Sequence, residues 1–329
     1  MSEISLEKEN PLLQIDTSFR TYLNAYTRSY QNHIVDGILD YAFESDFAVR
    51  QKILGLSGCG KLFKAVSSQD ISAEAKVLFM KCDQVGPLKY PEIYDIVKKC
   101  SERLELVVPI VFIRQDLDRA LIYSIASDII DPCIVLTKQL VDQMSRDELT
   151  FLIGSECGRI QNNHCVYNMA FTYLNVNKLV YKPAERSFSS PVSKQLYAAL
   201  VQWVNYADIT CDRAGIICLD KPGRFIEIAT SLYQNGYIDF YGRMQKDIDS
   251  FMLQNKSDSI HAVASRSLTT DHSMKELERR IVASNEFLNC STLYEWRRDL
   301  DGKEQHLVSG QICDVRSSII LGNGGQLNG

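Results

Sequence analysis

Between Glu148 and His164 the chain reads Glu-Leu-Thr-Phe-Leu-Ile-Gly-Ser-Glu-Cys-Gly-Arg-Ile-Gln-Asn-Asn-His. An H-E-x-x-H helix stacks two imidazoles at i and i+4 on one face, so that both reach one zinc ion while the glutamate works on the bound water. In this frame the histidine positions hold Ser155 and Arg159, and the glutamate is Glu156. A neutral hydroxyl is a poor zinc ligand beside imidazole, thiolate or carboxylate. A guanidinium has only donors and a permanent positive charge, so it repels a dication. The stretch keeps the carboxylate that hydrolysis would use and lacks the ligands that would activate its water.

The flanking residues keep the same frame. Asp147, Glu148, Leu149, Ile153, Gly154, Glu156, Gly158, Ile160 and His164 stand in register with D-E-L-x-x-x-I-G-H-E-L-G-H-I-x-x-x-H. Downstream lie Asp208-Ile-Thr-Cys-Asp-Arg-Ala-Gly215 and Thr270-Asp-His-Ser273. Together they resemble peptidase family M48, whose second motif is E-x-x-A-D-R-x-G, over a span from about residue 75 to about residue 285. The resemblance implies an α+β, mainly helical zincin-like metallopeptidase fold with a small β-sheet beside the active-site helix. It also implies that Ser155 and Arg159 replace two zinc histidines and that Asp208 replaces the third ligand, a glutamate, with a reach one methylene shorter. Glu156 then matches the general base, Cys157 replaces the usual leucine, Asp212 matches the acidic support of a zinc histidine, and His272 falls in the groove.

Charge balance suggests what such a site becomes. Three carboxylates crowded without a cation are costly when partly desolvated. Arg159 is expected to turn inward and take over the charge of the metal, with Ser155 as a further donor on the same face. The alternative is an Arg159 that points into solvent.

Residues 109–113 and 131–137 read as two strands, with a helix beginning at Pro91 before them. The active-site helix is expected to start near Arg146 and to run past His164 into Tyr173. A second motif-bearing helix spans residues 194–219, after a loop at 182–191, and further helices cover 225–236 and 274–287. Apolar residues at helical spacing, Phe19, Tyr22, Leu23 and Tyr26, then Ile34, Ile38, Leu39 and Phe43, predict a mainly helical region at 12–70. The expected organisation is an N-terminal helical region at 1–74, a peptidase-like domain at 75–290 and a partly flexible extension at 291–329. Alternating apolar residues within 305–320 offer that extension one or two strands.

Gly55-Leu-Ser-Gly-Cys-Gly-Lys-Leu62 satisfies the G-x-x-x-x-G-K core of a phosphate-binding loop. Leu62 stands where a magnesium-binding Ser or Thr is needed, and the preceding residues continue a helix as easily as a strand. A turn between two helices is the expectation. The net charge of −5 over 329 residues, without a basic block, argues against nucleic-acid binding. No apolar run approaches the roughly 20 residues that span a bilayer, and no secretory signal is visible at the start. Ten cysteines without a C-x-x-C pair suggest reduced thiols in a cytoplasmic protein. The function expected is that of a catalytically inactive pseudopeptidase without zinc or another cofactor, which binds a peptide or a partner protein. An enzyme with changed, zinc-independent chemistry on Glu156, Asp208, Cys157 or His272 is the first alternative, and a residual metallopeptidase the second.

Overall fold

The computed structural model describes residues 33–35, 37–69, 78–117, 120–125, 131–180, 191–235, 274–300 and 306–322. Its sheet has the order β3-β4-β6-β5, from β3 Asp83–Gln84, β4 Ile110–Arg114, β5 Ile122–Ile125 and β6 Cys133–Thr137. A separate hairpin pairs β1 Ile34–Val35 with β2 Ile38–Leu39. β6 runs parallel to β4 and antiparallel to β5, with Ser124 opposite Ile134. Successive strand side chains point to opposite faces. Val111, Ile113, Ile122, Ile134 and Leu136 therefore enter one core, and Phe112, Ile125, Cys133 and Val135 the other. Both faces being covered, every residue of β6 is buried, which accounts for its unbroken Cys-Ile-Val-Leu run.

The helices are α1 Glu44–Gly55, α2 Cys59–Gln69, α3 Pro91–Arg103, α4 Lys138–Gln143, α5 Arg146–Gln161, α6 His164–Val180, α7 Pro191–Cys218, α8 Phe225–Gln234, α9 Met274–Asn285, α10 Ser291–Trp296 and α11 Gly310–Ile320. α3 and α5 lie in the first core through Ile93, Ile96, Val97, Leu149, Leu152 and Ile153. α1, α2, α6 and the first half of α7 build the second through Val49, Ile53, Leu62, Phe171, Leu200 and Trp203. Two arginines, the half-buried Arg103 and the buried Arg297, satisfy the carbonyls at the end of α7. Arg103 donates to Cys218 O, and Arg297 Nη1 donates to Ile217 O at 2.8 Å and Leu219 O at 2.5 Å, the sign of charge that a helix C-terminus favours.

α5 is set by its own ends. Ser145 Oγ accepts from Glu148 N at 3.3 Å while Glu148 Oε2 accepts from Ser145 N at 2.8 Å, a reciprocal cap. Residues 149–160 are buried all round. The helix meets α7 at a distance only small residues permit: a Cβ on Gly158 would lie 2.3 Å from Ala214 Cβ, and one on Gly154 2.6 Å from Cys218 Cβ. This contact fixes the register in which Glu156 and Arg159 face Asp208.

The strands at 110–114 and 133–137, the helix from Pro91 and the motif-bearing helices stand where the sequence places them, in an α+β, mainly helical fold. The Gly55 to Leu62 stretch ends α1, turns through residues 56–58 with Gly58 at φ 84°, and opens α2. Four expectations are corrected. Ile34, Ile38 and Leu39 form a hairpin, not a helix, because Gly37 at φ 82° turns the chain back. The active-site helix does not run through His164. Asn162 Nδ2 donates to Gly158 O at 2.9 Å and to Tyr41 Oη at 2.8 Å, Asn163 adopts φ 57°, and α6 begins anew. β3 and β5, unread in the sequence, border the sheet. The C-terminal segment forms a helix instead of strands, capped by Ser309, whose Oγ accepts from Ile312 N, and Leu293, Trp296 and Cys313 enter the first core. Residues 1–32 and 182–190, and with them Phe19 to Tyr26, lie outside the described residues.

Candidate functional site

Four elements converge on the degenerate motif. The outer strand β5 supplies Ser124, α5 supplies Ser155, Glu156 and Arg159, α7 supplies Asp208 and Asp212, and α9 supplies Arg280 and Ser284. Arg159 turns inward: its Nε lies 3.4 Å from Glu156 Oε1 and its Nη2 3.5 Å from Asp208 Oδ1, with all three side chains buried. Ser124 Oγ donates to the other Glu156 oxygen at 2.7 Å. Ser155 does not join the carboxylates. Its hydroxyl donates to Phe151 O at 2.9 Å, within its own helix, and packs against Gly215 of α7.

The stronger cation, Arg280, lies outside both motifs. Arg280 donates from Nε and Nη2 to the two oxygens of Asp212, at 2.8 and 2.7 Å, and from Nη1 to Asp208 Oδ2 at 2.5 Å. Ser284 Oγ adds a bond to Asp212 Oδ2 at 2.9 Å. One planar fork thus grips one carboxylate with two parallel bonds and a second with its remaining nitrogen, an arrangement that a lysine cannot copy. The available signal was the charge count, since three carboxylates against Arg159 alone leave the cluster two positive charges short of balance.

The donor set does not fit a zinc ion. Zinc binds thiolate, imidazole and carboxylate in a tetrahedron. Here one ligand position is a hydroxyl bonded to its own helix, and another is a guanidinium. The third, Asp208, is already held between two guanidiniums. Among the described residues no group of three or more His, Cys, Asp or Glu side chains is placed to hold a metal. His272 lies outside the described residues.

His164 sits behind the site in a second polar cluster. Its Nε2 is 2.8 Å from Asp46 Oδ2 and its Nδ1 is 3.6 Å from Cys211 Sγ, with its ring edge-on to Trp203. Asp46, fully buried, accepts from Trp203 Nε1 at 2.8 Å, Thr210 Oγ1 at 2.8 Å and Arg50 Nε at 3.1 Å. Burial works to raise the Asp46 carboxyl, but His164, Arg50 and Thr210 outweigh it and hold it at about 2. Burial pushes the His164 imidazole below its ordinary value, against the pull of Asp46 and with the help of Arg50 and Arg159. Burial raises the nearby thiols, Cys165 to about 11 and Cys157 and Cys211 well up, so all three are protonated and none is a ready nucleophile.

A pH dependence follows from His164. As pH falls, the unfolded imidazole takes its proton near 6.5 while the buried one takes it at lower pH. Stability from His164 is therefore full above about 6.5 and declines below it, by at most about 1.4 kcal/mol per pH unit. The depressed Asp46 carboxyl adds a second loss, beginning below about 3.9 and ending near 2. Urea melts between pH 7 and 5 should show the first slope in the parent and not in His164→Gln; parallel curves would contradict this assignment.

Residues 130–265 match the sequence profile described as Peptidase family M48. Over 142 residues the chain is 23% identical to the plastoglobule-localized metallopeptidase 48, chloroplastic, of Arabidopsis thaliana. That alignment covers 43% of this chain and 40% of the relative, so the chain spans less than half the length of the curated protein it matches. No solved structure matches the chain.

Proposed function

We infer that this chain, a member of peptidase family M48, is a pseudopeptidase: a frame that has given up zinc and hydrolysis and is kept for binding a peptide or a partner protein. The observation that carries this reading is the replacement of the metal's charge from within, by the Arg159 and Arg280 guanidiniums on Glu156, Asp208 and Asp212. A glutamate paired to Arg159 has no polarised water to deprotonate. Nucleophilic chemistry in its place finds little support, since the thiols around the site are buried and protonated.

Binding rests on β5. It is the outer strand of the sheet, and among the described residues its second edge is unpaired. An extended peptide can add to such an edge through main-chain hydrogen bonds, and that addition needs no metal. Ser124, whose hydroxyl faces Glu156, places the edge directly beside the former catalytic helix. No helix among the described residues is long and apolar enough to cross a membrane. All ten cysteines are free thiols, and this supports a reducing compartment such as the cytoplasm.

The purified protein is expected to carry no stoichiometric zinc and to leave casein and unstructured peptides uncleaved. Elemental analysis giving about one zinc per chain, together with proteolysis that a chelator abolishes, would overturn the reading. Partner binding is checked by hydrogen exchange. A bound peptide should slow exchange at the amides of residues 122–125, and protection confined to other segments would remove β5 from the proposal.

A further inference from the structure

α11 presents its faces the opposite way to an ordinary surface helix. Its apolar residues Ile312, Val315 and Ile319 are 49%, 47% and 61% exposed. At 100° per residue they fall within about 60° of one another and form one outward stripe. The inward face is mostly polar. Asp314 Oδ1 accepts from Arg213 Nη1 at 2.6 Å, and its Oδ2 accepts from Glu44 N at 3.0 Å. Ser317 Oγ donates to Ala283 O at 2.9 Å and accepts from Arg213 Nη2 at 3.3 Å, and Cys313 and Ser318 are buried on the same side. At the end of the helix Ile320 and Leu321 pack partly against the second core. Rolling α11 to bury its stripe would strip Asp314 and Ser317 of these partners, so the stripe is held outward. An apolar stripe so held marks a surface that something else covers.

The chain carries a matching stripe of its own. Ile15, Phe19, Tyr22, Leu23, Tyr26 and Tyr30 recur at helical spacing, within about 100° of a helix circumference. A segment of that length forms little helix alone in water and needs an apolar partner. It is also tethered at the right place. Tyr30 is three residues before His33 and so within roughly 11 Å of it. His33 O accepts from Asp40 N at 2.8 Å, and Asp40 O is 4.0 Å from where a Cβ on Gly310, the first residue of α11, would stand. Ile34 and Val35, at this junction, are exposed as well. From there α11 extends for about 16 Å, within the roughly 24 Å that residues 15–30 span as a helix. A second copy fits the stripe less well. Across a two-fold axis it would set Arg316, half exposed at the middle of the stripe, against its own image.

We propose that residues 15–30 of this chain lie antiparallel along α11, with their apolar stripe on Ile312, Val315 and Ile319. The contact covers the outward face of α11 and ties the N-terminal region to the helix that Arg213 anchors. It stands independently of the pseudopeptidase reading, since none of these residues belongs to the degenerate motif.

The test uses the full-length protein with p-benzoylphenylalanine in place of Ile319, irradiated in dilute solution and digested for mass spectrometry. The expected product is a cross-link within one chain, from position 319 to a peptide inside residues 15–30. Hydrogen exchange supplies a second reading. Amides of residues 15–30 should exchange about tenfold faster, or more, in the double variant Ile312→Asp, Ile319→Asp than in the parent, while those of α5 stay as slow. A covalent dimer would seat a second copy on the stripe and overturn the proposal. So would a cross-link to another segment or none at all, or equal exchange of residues 15–30 in parent and variant. If the double variant fails to fold, the position of the cross-link decides alone.

Discussion

Arg280→Ala is expected to lower the unfolding free energy by about 3–5 kcal/mol, the range for leaving buried charge without its partner. The substitution strips three donors from Asp208 and Asp212, carboxylates exposed by only 5% and 4%. Arg159 cannot replace them, since its nearest approach to Asp208 is 3.5 Å. Arg159→Ala should cost less, about 2 kcal/mol, because its contacts with Glu156 and Asp208 are longer and both acids keep other donors. Arg280→Lys should recover only part of the loss, a point charge being unable to grip both oxygens of Asp212 and reach Asp208 together. Urea denaturation at neutral pH measures each value. Adding Asp212→Asn to Arg280→Ala removes one stranded charge and should restore part of the stability. An Arg280→Ala loss under about 1 kcal/mol, or no recovery in the double variant, would mean that the cluster is not held by charge.

The second large effect is on metal affinity. Ser155→His, Arg159→His and Asp208→Glu together rebuild an H-E-x-x-H helix and its third carboxylate. With Arg280 in place these three changes should gain little, because its guanidinium already holds the position-208 carboxylate that a zinc ion would use. Adding Arg280→Ala should then tighten zinc binding by about a hundredfold or more over the triple variant, as expected when a competing cation is removed from a complete ligand set. Competition against a chromophoric chelator reads the difference. Equal affinity in the two variants would show that Arg280 does not stand in for the metal, and zinc binding by neither would mean that Ser155, Arg159 and Asp208 do not face a common point. Peptidase activity need not return with the metal, since a misplacement of about 1 Å can cost roughly a hundredfold in rate.

Residue type and short-range spacing carried the reading of a degenerate zinc motif. A hydroxyl and a guanidinium at i and i+4 are not the imidazoles that an H-E-x-x-H helix offers to zinc, and that difference is legible at Ser155 and Arg159 without coordinates. The start of α5 is equally local, because the Ser145 and Glu148 cap is complete within four residues. So are the two buried strands, whose unbroken apolar runs require cover on both faces.

What tertiary structure decided is how the surviving charges are paired and where elements stop. Arg280 lies 72 residues from Asp208 and 68 from Asp212 along the chain, and no local pattern distinguishes it from its neighbour Arg279. Only the packing of α9 on α7 turns its fork towards the carboxylates. Ser155 was expected to donate to them because it shares a helical face with Arg159, but the close approach of α5 and α7 at Gly158 and Gly215 turns its hydroxyl back to Phe151 O. The break at Asn162 depends on Tyr41, 121 residues away, and hydrophobic periodicity carries no mark of such a contact. In 310–320 the alternation of apolar residues suited a strand, but the cap at Ser309 and the pull of Arg213 on Asp314 and Ser317 made a helix. Local interactions choose among conformations of similar energy there, and the partner that tips the balance is supplied by a distant part of the chain.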